Sequence, residues 1–60
     1  MHIDELRDIV RRVGLAPATF GRRVVGDPRF VFDCENGRLP RPATLDRVTA
    51  FVEAWEAGNA

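Results

Sequence analysis

Three X-Pro pairs, Ala16-Pro17, Asp27-Pro28 and Arg41-Pro42, constrain this chain of 60 residues more than any other feature. A proline inside a helix removes a backbone hydrogen bond, and its ring drives the preceding residue out of the helical region. No long helix can therefore run through these points. The first turn of a helix does accept proline, so each pair reads as a helix start. In "IDELRDIVRRVG", Ile3, Leu6, Val10 and Val13, with Ile9 beside them, share one helical face, and Gly14 closes the segment. "LAPATFGRRVV" starts a second helix at Pro17 and sets Phe20 and Val24 four apart. Asp27 as cap and Pro28 as first residue open a third, 28–36, which Asn36-Gly37 ends. A fourth begins near Pro42, carries Leu45, Val48, Phe51, Val52 and Trp55 on one face, and ends at Gly58. No segment alternates as a strand does, and no repeat, linker or low-complexity tract interrupts the pattern. The expectation is one all-α domain, 1–60, a compact bundle of four helices and five at most.

A chain this short lies near the lower limit for folding on its own core, and it carries little that could staple it. Cys34 is the only cysteine, so no disulfide can form within the chain, and with His2 it cannot complete a four-ligand zinc site. No metal or cofactor is expected, and a reducing cytoplasm fits best. Apolar runs reach only two or three residues and the amino end is charged, which argues against a membrane span or a signal peptide. Catalysis has little to stand on. The chain has no Ser, Lys, Tyr or Gln, its only His is the second residue, and Cys34 falls on a core face. Asp4, Glu5 and Asp8 read as a solvated face that favours a helix N-terminus. The chain is not expected to be an enzyme, nor to take a small-molecule substrate.

The charge pattern narrows the possible partners. Net charge is zero, yet residues 1–10 hold one Arg against three acids, 11–47 eight against four, and 48–60 only two Glu. All nine cations are arginine, whose planar fork suits bidentate contact with phosphate or guanine, although a G- and C-rich genome would produce the same bias. So balanced a charge does not suit a protein living on non-specific electrostatics.

The middle of the chain is more specific. Gly14-Leu15 precedes the second helix, which carries a bulky residue followed at once by a small one, Phe20-Gly21. The third helix has a cap at Asp27, core positions three apart at Val31 and Cys34, and the ending Glu35-Asn36-Gly37. Arg38 and Pro40 then lead to the last helix. In this order the set resembles the lambda-repressor-like (Cro, or xenobiotic-response-element) family of helix-turn-helix DNA-binding domains, over Leu6 to Val52. The resemblance implies a helix-turn-helix at about 16–37, with the third helix crossing the second at Gly21. It departs from the family pattern at Val25, where the turn usually has glycine and here Gly26 follows one residue later. It departs again at Pro17, where the family's phosphate-contacting glutamine is missing and Thr19 stands nearby.

With Val31 and Cys34 inward, 100° per residue turns Arg29, Phe32, Asp33 and Asn36 outward, with Phe30 and Glu35 at the flanks. Under the resemblance, Pro28, Arg29, Phe32, Asp33 and Asn36 would meet base edges in the major groove of double-stranded DNA. Thr19, Arg22, Arg23, Arg38 and Arg41 would meet phosphate. Plainer roles exist for the same residues: an Arg29–Asp33 surface pair, Phe32 folded back on the domain, Phe30 in the core, Asn36 as helix terminator, the arginines as a solvated face. The implied function is a sequence-specific transcriptional regulator of prokaryotic or phage type. A domain this small would bind as a homodimer on two half-sites, with Phe51, Trp55 and the tail through Ala60 as candidates for the interface, ordinary core packing being the plainer role of Phe51 and Trp55. The rival expectation is an adaptor that keeps the fold and binds a protein partner: another regulator, RNA polymerase or a toxin.

Overall fold

The computed structural model describes residues 1–59 and contains four helices: α1 Ile3–Val13, α2 Pro17–Val25, α3 Phe30–Glu35 and α4 Pro42–Asn59. Among the described residues there is no strand, and no helix is long and apolar enough to cross a membrane. Ala60, the last residue of the expected interface tail, lies outside the described residues.

Each boundary has a local cause. His2 caps α1 by accepting the Asp4 N–H on Nδ1 at 3.1 Å. Asp4 and Glu5 in the first turn and Arg11 and Arg12 in the last lie where the helix dipole favours them. Gly14 closes α1 at φ 79°, and Gly26 closes α2 at φ 75°, each donating to the carbonyl four residues back. Val25 thus remains helical and Gly26 takes the left-handed position that ends α2. Pro17 and Pro42 are first residues of their helices, as the X-Pro spacing predicts.

The third X-Pro pair behaves differently, and α3 is shorter than the expected 28–36. Asp27 uses its side chain to accept the Arg29 N–H at 2.9 Å, while its carbonyl accepts the Phe30 N–H at 3.1 Å. Residues 27–30 therefore form a turn with Pro28 second in it, where its fixed φ belongs. The first helical hydrogen bond of α3 runs from Asp33 N–H to the Arg29 carbonyl at 2.8 Å. At the other end, Gly37 at φ 101° lets its own N–H reach the Cys34 carbonyl and the Arg38 N–H reach that of Asp33. This paired closure turns the chain back sharply after Asn36.

The core is drawn from all four helices: Leu6, Val10 and Val13 of α1, Phe20 of α2, Phe30, Val31 and Cys34 of α3, Val48 and Val52 of α4. Phe20, Phe30 and Val48 are fully buried, and among the described residues no polar side chain is buried. Phe30, placed at a flank by the helical wheel, is central. The flank borders the buried side next to Val31, and Phe30 takes the plainer of its two expected roles, in the core. α1 and α2 each pack against both α3 and α4, so the short α3 is clamped from two sides. Buried apolar surface at about 25 cal/mol per Å² holds α3, since six residues are too few for a helix to persist alone. Gly21 is buried where α2 meets the 27–30 turn. A Cβ there would strike the Asp27 carbonyl and lie 3.2 Å from Phe30 Cβ.

Candidate nucleic-acid interface

The face of α3 turned away from the core begins in the turn before it. Pro28 and Arg29 are exposed there, and Phe32, one turn further on, is 60% exposed although it is a large apolar residue. Val31 and Cys34, on the opposite side, are buried as their spacing predicts. Burial pushes the Cys34 thiol above its ordinary pKa, with the Arg38 charge opposing and the Asp33 charge adding.

The other two outward residues are engaged within the chain. The Asn36 amide donates to the Phe32 carbonyl at 2.8 Å, capping the helix end. Asp33 is partly covered and faces Arg38 Nη1 at 3.5 Å, not Arg29. The same nitrogen is 3.2 Å from Asp27 Oδ2, and the guanidinium carbon sits 5.6 Å from the centroid of the Phe30 ring. Arg38 thus ties the turn before α3 to the loop after it. Asp27 is held below the ordinary carboxylate pKa, chiefly by the Arg29 N–H it accepts and also by the Arg38 side chain, with partial burial opposing both.

The arginines divide into two groups. Arg7 is paired with Asp4 and Glu35, Arg12 with Asp8 and Glu56, Arg38 with Asp27 and Asp33. Among the described residues Arg11, Arg22, Arg23, Arg29, Arg41 and Arg47 form no ion pair. Arg22 and Arg23 are exposed on the last turn of α2, and Arg29 follows in the turn that this helix feeds. Arg41 is exposed just before α4, and Thr19 is half-buried on α2.

The residues expected at a dimer interface pack within the chain. Phe51 meets Phe20 edge-on, ring centroids 5.8 Å apart at 82°, and Trp55 stacks on Phe51 at 5.9 Å and 23°. Both are half-buried against the core.

A second surface was not anticipated. Met1, Ile3, Leu6, Phe30, Leu39 and Leu45 are half of the residues that line a groove of about 330 Å³ between the start of α1 and the loop after α3. Leu39 is 89% exposed on its rim. The one sequence signal for it was an apolar residue, Leu39, that belongs to no helical face.

Compared with family profiles, characterised proteins and solved structures, the chain matches none.

Proposed function

We propose that this chain is a sequence-specific double-stranded DNA-binding regulator of transcription, built as a helix-turn-helix in which α2 lies along the backbone and α3 enters the major groove. The observation that carries this reading is the run of unpaired arginines at Arg22, Arg23 and Arg29, set beside an outward α3 face while other arginines are tied to acids. Unpaired cations release counterions when they meet phosphate, whereas a cation already paired must first give up its acid. The close approach at Gly21 supports the same arrangement, since it fixes the angle between α2 and the turn into α3.

Arg29 reads a base edge in this account, with Pro28 and Phe32 beside it. Arg22, Arg23, Arg41 and Thr19 hold the backbone. Arg38 reaches phosphate only by leaving Asp27 and Asp33, so its main service is to offset part of the negative charge of these two carboxylates. Binding is dimeric, because one domain of this size covers too little duplex. Anisotropy titration of a labelled duplex at two salt concentrations tests the reading. Affinity falling by several powers of the salt ratio supports it, and salt-independent or absent binding rejects it.

The rival reading, docking of a protein partner without base contact, draws on the apolar groove and on exposed Leu39. It would leave DNA affinity negligible and Arg29 without consequence.

A further inference from the structure

The outward face of α3 carries fewer free groups than its sequence suggests, and what remains has a distinct chemistry. Asp33, which would accept from a cytosine amino group, is turned to Arg38 at 3.5 Å. Asn36, which would pair with adenine, donates its amide to the Phe32 carbonyl at 2.8 Å. What remains is the Arg29 guanidinium, which forms no ion pair among the described residues and acts on Asp27 only through its charge, and the exposed Phe32 ring. They are three residues apart, Arg29 in the turn before α3 and Phe32 in its first turn, and both are exposed. Adjacent bases on one strand are about 3.4 Å apart, so two such side chains meet the same or neighbouring steps. An arginine fork matches the two acceptors of guanine. A phenyl ring has no donor or acceptor, and the apolar group that the major groove offers it is the methyl on C5 of thymine. Cytosine methylated at C5 presents the same group at the same place.

We propose that the element recognised is a guanine with a C5-methylated pyrimidine beside it, Arg29 taking the guanine edge and Phe32 the methyl. The proposal rests on the DNA-binding reading above and adds the identity of the contacted group. It commits Phe32 to a base contact, in place of a protein partner, because exposed Arg29 precedes it by three residues and exposed Arg22 and Arg23 end the helix before, a set of charges complementary to a polyanion.

The test uses the full chain and a duplex that it selects from a random pool. Each thymine of that duplex is replaced in turn by uracil, which lacks the methyl. One replacement should weaken binding about four-fold, the share of a single buried methyl. Cytosine in that place should weaken it further, and 5-methylcytosine should recover part of the loss. Phe32→Ala, exposed and therefore expected to fold with unchanged helix content, should bind thymine and uracil duplexes alike. If no thymine is sensitive to uracil, or Phe32→Ala keeps the full sensitivity, the proposal fails. Where a preferred site exists but is indifferent to the methyl, base reading by Arg29 survives and only Phe32 is misassigned. Failure to select any site overturns both.

Discussion

Arg38 shows how one side chain can settle the roles of several others. It lies over the Phe30 ring and reaches Asp27 and Asp33, so one positive charge is shared by two carboxylates and offsets half of their negative charge. Asp27 in turn organises the turn into α3, accepting the Arg29 N–H with its carboxylate. Its lowered pKa has a direct consequence for stability. The folded state prefers the ionised carboxylate more than the unfolded state does, so the contribution is present above the ordinary carboxylate pKa. It is lost as pH falls through the lowered value. Asp27→Asn keeps an oxygen for the Arg29 N–H but has no charge to lose. Acid titration followed by thermal melting should show this variant less stable than the wild type at neutral pH and converging with it in strong acid. Parallel curves at every pH would mean that the Asp27 charge contributes nothing.

At the scale of elements, the helix order was legible because proline and glycine act locally. Pro17 and Pro42 start helices and Gly14 and Gly26 end them without tertiary context, whereas α4 continues through its expected end at Gly58 to Asn59. The start of α3 was misplaced by two residues because Asp27-Pro28 can open either a helix or a turn, and the carbonyl of Asp27 selects the turn by bonding Phe30. The Arg38–Asp33 pair was hidden for a related reason. It depends on the reversal at Gly37, which no helical wheel extends through. Arg7–Glu35 and Arg12–Glu56 join different helices and require the packed bundle. Two glycines test the elements separately. Gly21→Leu drives a side chain into the Asp27 carbonyl and should cost about 1–3 kcal/mol through overpacking. Gly26→Ala meets open space but must hold φ near 75°, which costs roughly 1–2 kcal/mol as backbone strain. Chemical denaturation should show both losses, with the Gly21 variant alone disturbing the packing of α2 on α3 in amide chemical shifts. A Gly21→Leu protein as stable as the wild type would contradict the close crossing.

For the whole molecule the open question is how a domain of 60 residues achieves useful affinity. The proposed answer is two chains on one site. Phe51 already packs against Phe20, and Trp55 against Phe51, so a dimer contact there would use only their exposed edges. Native mass spectrometry of the DNA complex should give two chains per duplex, and truncation before Trp55 should weaken DNA binding more than it lowers helix content. A tight complex of one chain per duplex would remove the dimer from the account. The central claim is that Arg29 reads a base while Arg38 serves every sequence equally, and one set of titrations addresses it. Arg29→Ala and Arg38→Ala are each measured against the selected duplex and a scrambled one at fixed salt. The account predicts that Arg29→Ala loses about 1–3 kcal/mol on the selected duplex and little on the scrambled one, while Arg38→Ala weakens both alike. A ratio of selected to scrambled affinity that Arg29→Ala leaves unchanged would contradict base reading by this face.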